Sequence, residues 1–109
     1  MPHAELKHSS DLDFDAQAIF AAIEDTINAR DPNAGECKCR AYPTDVYHHT
    51  HILISVSLLP KDHRDEAFTA ALIKDLEAVI KAQLKQTCYF SLLVEYSLKT
   101  YVTNQHVAA

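Results

Sequence analysis

Pro2 follows Met1 directly, so removal of that methionine would leave a chain that begins with a secondary amine. An α-amino group titrates at about 7.7–8.0. A less polar site, or cations nearby, disfavours the ammonium form and lowers that value. A free Pro2 nitrogen is then a candidate general base at neutral pH. Behind a retained Met1, the same proline is only a strand residue that happens to follow the initiator. Further along, Lys38 and Arg40 alternate with Cys37, Cys39 and Ala41, which sets the two cations on one strand face and the small apolar residues on the other. A different chemistry is available to Cys37 with Cys39 and to His49 with His51, because each pair shares a strand face and both types ligate zinc. C-x-C and H-x-H lack the C-x-x-C spacing of standard metal sites. Core cysteines and partly exposed histidines account for the same letters, and a Cys/His metal module is kept as a minor alternative.

Several elements must position these residues. From Pro2 to His8 the pattern has period two, with Ala4, Leu6 and His8 opposite His3, Glu5 and Lys7, which predicts a strand. Asp13 is the expected N-cap of a helix with the stripe Ala16, Ile19, Phe20, Ile23 and Ile27, and Asp31-Pro32-Asn33-Ala34-Gly35 stops it. A second strand is expected over Glu36–Tyr42, and a third over about Tyr47–Leu59 with Ile52, Ile54, Val56 and Leu58 on one face. Asp62 is the expected cap of a second helix, striped by Phe68, Leu72, Leu76, Val79 and Ile80 and ending near Lys85. Phe90 to Leu98 alternates as a fourth strand, and Lys99 to Ala109 forms a polar tail.

The chain therefore reads as one α+β domain over residues 1–109, built from two β-α-β units at about 2–42 and 47–98 with a tail at 99–109. Crossover connections put both helices on one face of a four-stranded mixed sheet, parallel within each unit. The other face, carrying Leu53, Leu93, Lys38 and Arg40, is left for another subunit to cover. A formal charge of -5 argues against broad nucleic-acid binding, and an acidic substrate would need local cations. No apolar run approaches the roughly 18 residues of a membrane span, and no basic segment leads into an apolar signal core. Three cysteines without framework spacing suit a reducing compartment, so a soluble cytoplasmic protein is expected.

An ordered set of segments resembles the 5-carboxymethyl-2-hydroxymuconate isomerases of the tautomerase superfamily, alongside 4-oxalocrotonate tautomerase and macrophage migration inhibitory factor. It comprises Met1-Pro2-His3, Lys38-Cys39-Arg40-Ala41, His51-Ile52-Leu53-Ile54-Ser55-Val56, Leu59-Pro60 and Val94-Glu95-Tyr96, and it covers nearly the whole chain. The resemblance implies a homotrimer that works without a cofactor on a small carboxylate substrate, an unsaturated 2-hydroxy or 2-oxo acid of aromatic-compound catabolism. It casts Pro2 as the catalytic base and Lys38 and Arg40 as the cations that hold substrate carboxylates. Pro60-Lys61-Asp62 stands where family members usually have Gly-Arg-Ser, so Lys61 would keep a positive charge there without the bidentate fork of an arginine. Lys7 and His8 replace the usual acid and aromatic of the first strand. These departures motivate the alternative of a non-enzymatic trimeric binding or signalling protein on the same scaffold.

Overall fold

In the computed structural model, which describes all 109 residues, six elements follow in order. They are β1 (His3–Ser9), α1 (Ala16–Arg30), β2 (Lys38–Thr44), β3 (His51–Leu58), α2 (Glu66–Lys81) and β4 (Tyr89–Tyr96). The sheet order is β2-β1-β3-β4. β1 pairs parallel with β2, β3 pairs parallel with β4, and β1 meets β3 antiparallel at the centre. The two β-α-β units are thus joined back to back, and each end of the sheet takes the strand starts of one unit and the strand finishes of the other.

The apolar stripes do what their periods require. Ile19, Ile23 and Ile27 of α1 and Leu72, Leu76 and Ile80 of α2 are fully buried against Ala4, Leu6, Ile52, Ile54, Val56 and Leu58 of the sheet. Each such aliphatic side chain contributes about 1.5–3 kcal/mol relative to leaving it in water, so these positions fix which sheet face the helices cover. The far face stays open, with Leu53 41% and Leu93 47% exposed. No helix is long and apolar enough to cross a membrane.

Element ends depart from the sequence reading, each for a local reason. Asp15, not Asp13, caps α1 by accepting from the Ala18 N–H. The Asp13 N–H is instead taken by Gln86 Oε1, at 2.6 Å, so that residue is tied to the segment between α2 and β4. Asp65, not Asp62, caps α2 by accepting from the Phe68 N–H, because a turn closed by Arg64 N–H to Lys61 O occupies the preceding residues. That helix stops at Lys81 rather than near Lys85. β3 starts at His51 rather than Tyr47, since His49 takes a left-handed φ of 66° that no strand accommodates. β2 runs two residues later than expected and includes Pro43, which an edge strand tolerates because its missing N–H can face outwards. β4 spans Tyr89–Tyr96 and leaves Ser97 and Leu98 outside it.

Candidate active site

Pro2 is buried immediately before β1, and its carbonyl accepts the Lys38 N–H at 2.9 Å, extending the parallel β1–β2 ladder by one rung towards the terminus. Because β1 and β3 are antiparallel, the start of β1 lies beside the finish of β3, with His3 opposite Ser57. The chain leaving β3 through Leu59, Pro60 and Lys61 therefore passes the terminus. α1 also returns to this end, bringing Asp31 with it.

Three cations surround the amine here. The Met1 α-amine is held below its usual value, first by partial desolvation and then by the positive charges of Arg64, Lys61 and Lys38. Lys38 keeps its side chain half exposed, with Glu36 3.5 Å away. Arg64 is different. Its side chain is 3% exposed, and it donates from Nε and Nη2 to Asp31 Oδ2 at 3.0 and 2.7 Å and from Nη1 to the Leu59 carbonyl at 2.8 Å. His63 Nε2 lies 2.8 Å from the same carboxylate oxygen. These partners, the His63 hydrogen bond foremost, pull the Asp31 carboxyl down to about 2 against the opposing effect of burial. Asp31 is thereby a clamp that ties the end of α1 to the loop before α2 and fixes the backbone that carries Lys61.

Of the residues singled out in the sequence, Pro2, Lys38 and Lys61 lie at this end of the sheet, and Arg40 sits two residues along β2 on the same strand face as Lys38. Arg40 lies on the open face, where Nη1 donates to His3 Nδ1 at 3.1 Å and Nε donates to the Tyr42 hydroxyl at 2.9 Å, with Glu5 Oε1 at 3.6 Å from Nη2. An arginine only donates, so Nδ1 of His3 is the acceptor and the ring is neutral with its proton on Nε2. The His3 ring is accordingly shifted below its ordinary pKa, by desolvation first and then by Arg40 and the terminal charge. Arg40, His3, Glu5, Ser57, Glu95 and Tyr101 border a concavity of about 400 Å³ on the open face. Pro2 does not line it, so His3 is the link between the terminus and this hollow.

No protein-family model and no curated protein sequence matches the chain. Solved structures do match over nearly its whole length. A 5-carboxymethyl-2-hydroxymuconate isomerase from Deinococcus radiodurans R1 superposes with a TM-score of 0.73 at 18% identity, covering 95% of this chain and 90% of that one. A 5-carboxymethyl-2-hydroxymuconate delta-isomerase gives 0.64 at 17% identity, with 99% and 89% covered. A fused wild-type 4-OT symmetric trimer gives 0.68 at 19% identity, with 92% and 89% covered. The chain has the tautomerase fold.

Within this tautomerase fold the sequence had not singled out Arg64, Asp31 or His3. A charged residue that is almost fully buried must be paired, but nothing in the letters marks Arg64 as buried or Asp31 as more than a helix stop. The proposed zinc pairs do not assemble. His49 lies outside β3 and gives its carbonyl to His51 Nδ1, at 2.9 Å. Cys37 and Cys39 pack towards the helices at the opposite end of the sheet from His51, and no group of three His, Cys, Asp or Glu side chains is placed to hold a metal ion.

Proposed function

We propose that the chain is a cofactor-independent isomerase of the tautomerase type, acting on a small unsaturated 2-hydroxy or 2-oxo carboxylic acid such as 5-carboxymethyl-2-hydroxymuconate or an analogue. The observation that carries this reading is the set of three cations, Lys38, Lys61 and Arg64, that depress the α-amine at the head of β1. With Met1 removed, the Pro2 nitrogen inherits that setting and is neutral enough to accept a proton at neutral pH. In the proposed reaction Pro2 takes a proton from the enol oxygen or a chain carbon and returns it to another carbon of the conjugated system. The substrate carboxylate is held by Lys38 and Lys61, and Arg40 meets a second acidic group or the developing enolate from the open-face side. Arg64 keeps its hydrogen bonds to Asp31 and Leu59 and acts through its field.

The open sheet face with Leu53 and Leu93, together with the symmetric trimer among the matched structures, supports a homotrimer in which neighbouring copies cover that face. Three free thiols suit the cytoplasm.

Intact mass establishes whether residue one is Met or Pro, and enol ketonisation is then followed in the wild type and in Pro2→Ala. Ketonisation lost in the variant supports the reading, and equal rates in the two proteins overturn it. A second reading, a non-enzymatic trimeric binding protein, is favoured by one observation, that all three Arg64 nitrogens are already bonded to Asp31 and Leu59. Labelling the terminal amine with a small electrophile across pH separates the two, since an amine titrating at or above the ordinary α-amino range belongs to the inert scaffold.

A further inference from the structure

Cys37 and Cys39 flank Lys38, and on the helix side of the sheet the Cys39 thiol donates to the Cys37 sulfur at 3.6 Å. All three cysteines of the chain are free. Of the two peptide groups between these cysteines, the first, whose N–H is that of Lys38, is bonded to Pro2 O. The preceding N–H, from Cys37, donates to Glu24 Oε2 on α1 at 2.7 Å. β2 is an edge strand, so only β1 holds its backbone flat.

We propose that Cys37 and Cys39 form a dithiol modification site, which a small-molecule disulfide oxidises to an intrachain bond that bends the start of β2 and breaks the hydrogen bond from Lys38 to Pro2. Residues two apart on an extended strand have Cα atoms about 6.6 Å apart, whereas disulfides mostly sit at about 5.5–6 Å with sulfurs about 2.05 Å apart. The sulfurs must close by about 1.5 Å from their 3.6 Å contact, and because about 6.6 Å is near the upper end of the roughly 4.4–6.8 Å that disulfides span, the bond favours an inward fold of the backbone at Lys38. That movement draws the Lys38 N–H away from Pro2 O and the Lys38 side chain away from the terminus.

Cys39 is the more exposed of the two and attacks first. Its thiol is lowered by the hydrogen-bonded pairing with Cys37 and, against the opposing effect of burial, by Arg40, while Cys37 is raised by the same pairing and by burial. The Cys39 thiolate displaces one thiolate from the reagent disulfide, giving a mixed disulfide. Cys37 then loses its proton and attacks the Cys39 sulfur, displacing the second thiolate. Two protein thiols give up two electrons and two protons, and one small disulfide becomes two small thiols. The consequence for catalysis rests on the isomerase reading, but the bond and the backbone change do not.

The full-length protein is treated with 2-hydroxyethyl disulfide, and the products are mapped by peptide mass spectrometry and by amide hydrogen exchange without substrate. The expected result is a Cys37–Cys39 disulfide reversed by dithiothreitol, with exchange at the Lys38 amide at least about tenfold faster. Cys37→Ser should stop at a mixed disulfide on Cys39, Cys39→Ser should lose the attacking thiol and form no internal bond, both should leave that amide protected, and Cys88→Ser should behave as the wild type. A persistent mixed disulfide in the wild type, or an internal bond that leaves Lys38 protected, overturns the proposal. An inactive protein that still shows the bond and the faster exchange loses only the isomerase reading.

Discussion

The two ends of the sheet are built by the same β-α-β plan and carry opposite chemistry. At one end β1 and β2 begin, β3 and β4 finish, and Lys38, Lys61 and Arg64 gather around the terminus. At the other end β3 and β4 begin, and the surface is supplied by Asp11, Asp13 and Asp15 with His49, His51 and Tyr89 nearby. There the Asp11 carboxylate accepts from the Thr50 hydroxyl, the Asp15 carboxylate caps α1, and Gln86 bonds the Asp11 and Asp13 backbone, so this segment is spent on holding loops together. The cationic end buries a strand start and depresses an amine. The acidic end holds a strand start of its own, at His51, that is joined to the preceding chain and has no terminal amine to depress. Equivalent topology therefore yields one candidate reactive end, because only one unit begins at the terminus and only there do Lys38, Lys61 and Arg64 act on an amine.

The contrast is broken most severely at Pro2. Pro2→Ala, processed to a free N-terminus, should lower kcat/KM for ketonisation by about 10²–10⁴, the usual contribution of a positioned general base. The clamp comes next. Arg64→Ala strands the 5%-exposed Asp31 carboxylate beside His63 and should destabilise the fold by about 3–5 kcal/mol, read from urea unfolding. Asp31→Asn is gentler and carries a pH signature. The folded Asp31 carboxyl is depressed to about 2, so its contribution is present above the unfolded value near 3.8 and lost as pH falls through the folded one. It is worth on the order of 2 kcal/mol, and the wild-type advantage over Asp31→Asn should vanish between those two pH values. Smaller again, Lys38→Ala and Lys61→Ala each remove one charge that lowers the amine. The acidic limb of the kcat/KM profile should move to higher pH by up to about one unit, and less at high salt. At the acidic end, Asp15→Ala removes an N-cap and should cost about 1 kcal/mol of stability with the acidic limb unmoved. A limb that moved equally for Asp15→Ala and Lys61→Ala would erase the distinction between the ends.

Much of this architecture was legible before any coordinates. Ile19, Ile23 and Ile27, Leu72, Leu76 and Ile80, and the alternation of Ala4 and Leu6 or Ile52 to Leu58 are local patterns, and burial of one face per element follows from them whatever the topology. The same period set Lys38 and Arg40 on one face. Boundaries were less legible, because the residues that decided them answered to distant partners. Gln86 holds Asp13 away from capping α1, and the turn from Lys61 to Arg64 passes the capping of α2 to Asp65. Of the candidate site, Pro2, Lys38 and Arg40 could be named from residue type and spacing and Lys61 from the resemblance, but the contacts of Arg40 with Tyr42 on its own strand and with His3 and Glu5 on β1 could not.

By itself, then, the sequence determined the two units, the helices and faces they bury, and the proline from which the chemistry is proposed, since all of these rest on periodicity and residue type. Tertiary structure decided which cations reach the terminus. The antiparallel meeting of β1 and β3 carries the Lys61 to Arg64 loop to the start of β1, and Asp31 comes to Arg64 from 33 residues away only once α1 has packed on the sheet. A charge is short in reach and blind to sequence separation, so its partners are fixed only when the chain has folded.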